Sequence, residues 1–306
     1  LTREEAADAM AMILRGEAEP AQVGAFLMLL RVKEETAEEL AGFLDACRPV
    51  CREHLAALPA VDVDWPSYAG KKKHHPWYLL AARLLADNGL CILMHGGPAH
   101  TPNRRYSDDM LAELGLALPA SVAEAGEQLD SDGLTYLDLG HFCPALPELL
   151  MMRFQLGLRS PINTLARSLN PAAAPLSMQS VFHPAYLELH LGAASACGDR
   201  NLLLFKGEGG ELEIRPDART ALTGLRHGEP ADGVLSAAMG RQTPPGEVSV
   251  APLQALWRGQ TDDAYGQAAV IKTVAAVLWG LEKVASLEEG EKAAAALWEA
   301  RRRDRL

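Results

Sequence analysis

The sequence predicts an α/β fold in which a small all-helical domain accompanies a larger α/β domain with a mostly parallel central sheet. Three observations predict it. The first 57 residues carry helical patterns and no strand-like run. From Ala60 onward, short strand-like runs alternate with helical ones, as expected of a parallel sheet with helices on its faces. A second helical stretch, residues 144–168, then interrupts the alternation.

Three helices are expected in the N-terminal segment. Thr2 with Glu5, and Thr36 with Glu39, form capping boxes at the starts of the first and third helices. The second helix is "PAQVGAFLMLLRVK", whose leading proline suits a first helical turn. Pro49 lies inside the third helical pattern, and we expect it to kink or split that helix because proline removes a backbone donor.

The remaining elements follow in chain order. Helices are expected at residues 76–88 and 107–115, and two more close the chain after a surface loop at Gly240–Val248. The strand-like runs are Ala60–Asp64, Leu90–Gly96, Leu134–Leu139, Ser180–Cys197 and Asn201–Ile214.

Composition excludes several classes of protein. The chain has 306 residues, 48% of them hydrophobic, which is enough for a substantial core. No apolar run is long enough to span a bilayer and no signal peptide is visible, so we expect a cytoplasmic protein without a membrane partner. The five cysteines fit neither a disulfide framework nor a zinc site, and we expect reduced thiols.

The charge balance bears on nucleic-acid binding. The formal net charge is −11. Because phosphate neutralisation dominates such binding, an acidic chain would need a local basic groove to bind nucleic acid.

One basic stretch, "DWPSYAGKKKHHPW" (Asp64–Trp77), follows a predicted strand and precedes a predicted helix. Helix N-termini favour anions, so its cations indicate phosphate binding, although a solvated turn is the alternative. Trp65 and Tyr68 flank the cations and are candidates for base stacking, unless they pack in the core. The candidate phosphate-binding residues in this loop are Lys71, Lys72, Lys73 and His74.

Further basic candidates lie on other segments. Arg104 and Arg105 occur in "TPNRRYSDD", where pairing with the two following aspartates is the alternative. Arg153 lies in the 144–168 stretch, and Lys206 opens "KGEGGELEIRP", whose three glutamates suggest an internal salt-bridge network instead. His95 is a lone histidine near a strand end. No nucleophile motif is present, so the residues predict no catalytic group and no metal site.

The opening helical segment and "MRFQLGLRSPINTLARSLNP" (Met152–Pro171) resemble anthranilate phosphoribosyltransferase, of the glycosyltransferase family 3 fold. The resemblance implies that residues 1–57 and 144–168 form a helical dimerisation domain. Residues 58–143 and 169–306 would form the α/β domain. It also implies a homodimer.

The sequence departs from that family at its catalytic motifs. The family's "G-T-G-G-D" phosphoribosyl-pyrophosphate loop is replaced by "DWPSYAGKKK". Its "K-H-G-N" motif reads Met94, His95, Gly96, Gly97. Its magnesium-holding Asp-Glu pair reads Gly210, Glu211. The residual active-site positions are therefore His95, Gly96 and Glu211.

These departures resemble the divergent YbiB-type branch of the family. That resemblance implies a homodimeric protein that binds single-stranded DNA or RNA largely independently of sequence, on a catalytically inactive scaffold and without a cofactor. The alternative is a phosphoribosyl- or glycosyltransferase with an unknown acceptor, which would use magnesium and phosphoribosyl pyrophosphate. An interaction scaffold with neither activity is a third possibility.

Overall fold

The computed structural model describes all 306 residues, which form seven strands and thirteen α-helices. The strands are β1 Val63–Pro66, β2 Ile92–Gly96, β3 Leu134–Asp138, β4 Leu176–Val181, β5 Asn201–Lys206, β6 Thr220–Arg226 and β7 Glu229–Leu235. The helices are α1 Arg3–Leu14, α2 Pro20–Lys33, α3 Ala37–His54, α4 Tyr78–Asp87, α5 Ser107–Glu113, α6 Val122–Asp132, α7 Leu146–Met151, α8 Arg153–Leu156, α9 Ile162–Ser168, α10 Tyr186–Ala196, α11 Ala251–Arg258, α12 Ala264–Gly280 and α13 Leu287–Glu299.

All seven strands form one sheet in the order β3-β2-β1-β4-β5-β6-β7. Strands β1 to β5 are parallel, and β6 and β7 continue the sheet as an antiparallel hairpin. The predicted fold class is confirmed. Because the carboxyl ends of parallel strands meet at one edge, the loops after β1, β2, β4 and β5 converge there, and this is where α/β proteins usually bind ligands.

Two cores lie on opposite faces of the sheet. Strand residues alternate between them: Ile92 and Met94 belong to the larger core, with α4 and α12, and Leu93 belongs to the smaller one. The smaller core joins α1, α3, α7 and α9 to the sheet. The helical segments therefore form a layer against the sheet, which holds α8 and α9 close to its ligand-binding edge.

The N-terminal helices begin as the sequence predicts. The Thr2 and Thr36 side chains accept the backbone N–H of Glu5 and Glu39, and both capping boxes are complete. The expected split at Pro49 is wrong, because α3 runs unbroken through it. Half of α3 is buried, largely against α1 and α10, and this packing offsets the hydrogen bond that proline cannot make.

The expectation for Ser180–Cys197 is also wrong beyond its first residues. Only Ser180 and Val181 belong to a strand, and Tyr186–Ala196 is a helix. The hairpin of β6 and β7, and the helices α6 and α11, were not anticipated. All five cysteines are free thiols. None of the helices combines the length and the hydropathy needed to cross a bilayer.

Candidate nucleic-acid interface

The loop after β1, residues 67–77, lies at the carboxyl edge of the sheet and is rigidly held. Lys71 and Arg105 exchange two backbone hydrogen bonds, of 2.8 and 2.9 Å, which tie this loop to the loop after β2. Gly70 has φ +68°, and a Cβ atom there would lie 3.0 Å from the Arg105 carbonyl oxygen. Glycine is required at this position, and the loop cannot open without breaking the bridge.

Two donors of this loop and one at the start of α4 are bound by the chain's own carboxylates. Glu211 accepts the Ser67 hydroxyl at 2.8 Å on Oε1 and the Gly70 N–H at 2.7 Å on Oε2. Glu213 Oε2 accepts the N–H of Tyr78, the first residue of α4, at 2.9 Å. Both carboxylates are buried. The place where a phosphate would meet a loop and a helix N-terminus is thus filled by glutamates.

Lys71 does not face solvent, contrary to its expected phosphate-binding role. Its Nζ lies 2.6 Å from Glu213 Oε1 and 3.2 Å from Glu208 Oε2, and its side chain is fully buried. Burial lowers the pKa of Lys71, but the carboxylates of Glu213 and Glu208 outweigh it and hold the pKa above its usual value. The salt-bridge network expected within the Lys206–Pro216 segment does not form. Glu208 and Glu213 pair with Lys71 instead, Arg215 pairs with Asp217, and Lys206 has no carboxylate partner.

The expected stacking residues and His74 are buried as well. Trp65 belongs to the larger core, and Tyr68 donates or accepts a 2.8 Å hydrogen bond with His95 Nδ1. His74 stacks on Tyr265, with ring centroids 4.6 Å apart. Trp65 and Tyr68 are buried and offer no ring face to a base, and His74 is buried away from any phosphate. The expected stacking and phosphate-binding roles of these residues are therefore wrong.

His95 and Gly96, the two residual positions from the family's second motif, make contacts inside the protein. The Nε2 atom of His95 lies 2.9 Å from Asp64 Oδ1, and Ser177 donates to the other carboxylate oxygen at 3.0 Å. A Cβ atom on Gly96 would lie 2.2 Å from the Tyr136 hydroxyl. These contacts connect β1, β2 and β4, so His95 and Gly96 stabilise the sheet edge.

The three candidate arginines have different environments. Arg104 donates to the carbonyl oxygens of Ala69 and Gly209 at 2.8 and 3.2 Å. It therefore connects the loop after β1 to the loop after β5. Arg105 pairs with Glu113 at the surface and lines neither of the cavities described below. Arg153 donates to the Thr101 hydroxyl at 3.0 Å and has no carboxylate partner.

A cavity of about 690 Å³ opens beside the loop, and we call it the cationic cavity. Among its lining residues, the only carboxylate is Glu208, which bonds to Lys71. Of the lining cations, only Arg215 has a carboxylate partner, Asp217. The cations that line the cavity are Lys72, Lys73, Arg104, Lys206, Arg215 and Arg219.

A second cavity of about 170 Å³ adjoins the first and shares Phe182 and Gly209 with it. It is lined by Arg31, Arg159 and Arg167, from α2 and the α8–α9 region. Burial, together with the charges of neighbouring arginines, lowers the pKa of Arg159 to about 10. Since Arg159 and Arg167 repel each other, a bound anion would relieve that repulsion.

The structure therefore brings some of the predicted cations together at one edge of the sheet and buries others. Lys72, Lys73, Arg104 and Lys206 come together in the cationic cavity as expected. Sequence reasoning missed Arg219 and Phe182 as lining residues. The signal for Phe182 was its position directly after a parallel strand, in "SVFHPAY", where a side chain reaches the ligand-binding edge.

Comparison of the sequence with models of protein families gives matches that are consistent with this fold. Residues 1–51 match the helical bundle domain of a glycosyl transferase family, and residues 78–300 match its a/b domain. The chain is similar to anthranilate phosphoribosyltransferase of Anaeromyxobacter dehalogenans, with 32% identity over 74% of this chain. The match spans 65% of that protein's length. The Methylocella silvestris enzyme of the same name is 28% identical over 97% of this chain and 86% of its own length.

Solved structures give the same result. Anthranilate phosphoribosyltransferase from Thermus thermophilus superposes with a TM-score of 0.79 at 26% identity, covering 97% of this chain and 91% of that one. The Saccharomyces cerevisiae enzyme in complex with PRPP and Mg has a TM-score of 0.77 at 19% identity, over 98% and 90% of the two chains. The second likeness shows a shared fold.

Proposed function

The chain belongs to the glycosyl transferase family whose helical bundle and α/β domains it matches, and we propose that it uses this scaffold to bind single-stranded nucleic acid. Binding occurs in the cationic cavity and the adjoining arginine-lined cavity. It depends little on sequence, and the scaffold is catalytically inactive.

The observation that carries the proposal is the unpaired positive charge of the cationic cavity. Lys72, Lys73 and Lys206 are exposed, have no carboxylate partner and line the same cavity, although the chain as a whole has a net charge of −11. Unneutralised cations gathered at a ligand-binding edge favour a polyanion. Long lysine side chains contact phosphates without reading bases, so little sequence preference follows.

The hydrogen bonds that Glu211 and Glu213 already make at this loop argue against phosphoribosyl transfer. A diphosphate at this loop would have to displace Glu211 from Ser67 and Gly70, and Glu213 from Tyr78. Both carboxylates are buried. A ligand that displaced them would have to accept hydrogen bonds from the freed donors, and the glutamates would lose their own partners. The proposal therefore assigns no compact diphosphate to this site.

The residues present do not fit the magnesium ion that the family uses. Magnesium requires several open oxygen ligands in near-octahedral geometry. Here both oxygens of Glu211 already accept hydrogen bonds, and Glu213 holds Lys71 and Tyr78. Gly210 contributes no carboxylate. We derive no reaction step through a metal.

The test is a fluorescence-polarisation titration of the protein with a labelled oligothymidylate. We expect saturable binding that weakens as salt rises from about 50 to 200 mM, because phosphate contacts release counterions. An unrelated oligonucleotide of equal length should bind with similar affinity. Absence of binding at the lower salt concentration would refute the proposal.

Phosphoribosyl transfer is the second candidate, and the sequence similarity to anthranilate phosphoribosyltransferases favours it. Incubation with phosphoribosyl pyrophosphate, magnesium and a panel of amine acceptors that includes anthranilate is expected to give no turnover. An anthranilate phosphoribosyltransferase assayed in parallel serves as the positive control. Saturable turnover that is lost in Glu211→Gln would instead establish the transferase, because Glu211 is one of the residual active-site positions.

We further propose a homodimer formed through the helical layer. Leu29 and Val32 on α2 are 70% and 83% exposed, and Phe154 on the adjacent α8 is 60% exposed. A Cβ atom on Gly24 would lie 3.7 Å from Leu156, which places α2 against α8. Large apolar side chains exposed together on adjacent elements are typical of an interface.

Light scattering is expected to give twice the chain's mass for the wild type. Leu29→Glu with Val32→Glu should give a monomer, because two charges would be buried in the interface. Val234→Glu, at an exposed apolar position on β7, is the matched control and should remain a dimer. A wild type that is monomeric at micromolar concentration would contradict the proposed interface.

A further inference from the structure

Phe182 is an exposed aromatic residue at the ligand-binding edge. It follows β4 directly, is 51% exposed, and lines both the cationic cavity and the smaller arginine-lined cavity. The His183 ring packs against it edge to face, with centroids 4.6 Å apart. A large apolar ring at the junction of two positively charged cavities is open to a ligand, and covering it would remove apolar surface from water.

The surroundings of Phe182 match the alternation of charge and apolar surface in a single strand. Pro184 and Leu187 extend an apolar wall from Phe182 into the cationic cavity. Lys72, Lys73 and Lys206 line that cavity, and Arg159 and Arg167 line the other. A single strand alternates phosphates with unpaired bases, so a ring between two cationic regions lies where a base would be.

We propose that Phe182 stacks against a nucleobase of the bound strand while the flanking phosphates occupy the two cavities. This inference rests on the proposed function and names the residue that recognises the base face. Stacking is tolerant of sequence, because every base has a π-face. It also favours a single strand over a duplex, in which each base face is already covered by its neighbours.

The test compares Phe182→Ala, Phe182→Leu and Phe182→Trp with the wild type on two strands of equal length. One is a labelled oligothymidylate, and the other is an abasic-spacer oligonucleotide with the same number of phosphates. We expect Phe182→Ala to bind the oligothymidylate about 5- to 150-fold more weakly and to bind the abasic strand as the wild type does.

Phe182→Leu keeps the apolar volume and is expected to lose affinity nearly as Phe182→Ala does, while Phe182→Trp should retain it. The salt dependence of oligothymidylate binding should be the same in all four proteins, since no charge is removed. Tight binding of double-stranded DNA at the expense of the single strand would overturn the inference.

Three other outcomes separate this inference from the proposed function. If the wild type binds both strands equally well and Phe182→Ala changes neither, phosphate binding stands and base stacking at Phe182 is refuted. If the wild type binds neither strand at low salt, the proposed function fails and the inference fails with it. An equal loss on both strands would mean that Phe182 only shapes the cavity, which also refutes stacking.

Discussion

Replacing Lys71 with methionine is expected to lower the free energy of unfolding by about 3–5 kcal/mol, because it leaves buried carboxylates without their cation. Lys71 Nζ lies 2.6 Å from Glu213 and 3.2 Å from Glu208, inside the molecule. Methionine fills a similar volume, so the loss comes from charge and not from a cavity. Urea denaturation followed by circular dichroism measures it.

The neighbouring lysine provides the control. Lys72 is exposed and has no carboxylate partner, so Lys72→Met should change the free energy of unfolding by less than about 0.5 kcal/mol. Adding Glu213→Gln to Lys71→Met should recover part of the loss, and this double variant keeps the test usable if Lys71→Met does not fold. A Lys71→Met protein as stable as the wild type would show that Lys71 is not an interior cation.

Reversing the charge of Lys72, Lys73 and Lys206 together is expected to weaken oligonucleotide binding at least about 100-fold at 0.1 M salt. All three line the cationic cavity and are unpaired, so each can neutralise a phosphate, and glutamate in its place repels one. Because the three side chains are exposed, the free energy of unfolding should change little. Polarisation titration and urea denaturation measure the two effects separately.

A control with the same change in net charge distinguishes local from global electrostatics. Lys283, Lys292 and Arg303 are exposed and line neither cavity. Their reversal to glutamate should weaken binding by no more than about threefold at the same salt, since these side chains line neither cavity and salt screens exposed charges. Equal losses in the two triple variants would mean that net charge, and not the cavity, governs binding.

The parts of the fold that could be predicted are those with local signals. The capping boxes at Thr2 and Thr36 define helix starts by themselves. Helix α10 was missed because its valine-, phenylalanine- and tyrosine-rich approach suggested a strand. Strand β7, "EPADGVL", has little intrinsic strand preference and is formed by pairing with β6, which is a tertiary effect.

The site was predicted in position but not in the direction of its side chains. An irregular loop has no period of two or 3.6, so nothing in "KKK" shows which lysine turns inward. The partner of Lys71 is Glu213, 142 residues away in the chain. Trp65 belongs to β1 and is buried with it, because that strand ends at Pro66, two residues later than expected. The roles of these side chains depend on contacts between residues far apart in the chain, which a single sequence does not show.

Lys71 points into the protein, whereas the two lysines that follow it point into the cationic cavity. Glu211 accepts the Gly70 N–H in the loop, and Glu213 accepts the Tyr78 N–H at the start of α4. Lys72 and Lys73, which follow Lys71, project from the closed loop into the cationic cavity. The chain therefore presents charge at this edge through long lysine side chains, which suits a loosely positioned polyanion.

The most direct test of phosphate binding in the cationic cavity is the salt dependence of oligothymidylate affinity, compared between the wild type and Lys72→Ala/Lys73→Ala/Lys206→Ala. For single strands the log–log slope changes by about 0.7 for each phosphate contact, so removing three cations should make it shallower by about 2. Parallel slopes for the two proteins, with equal affinity at low salt, would show that these lysines do not meet the strand and would contradict the proposed interface.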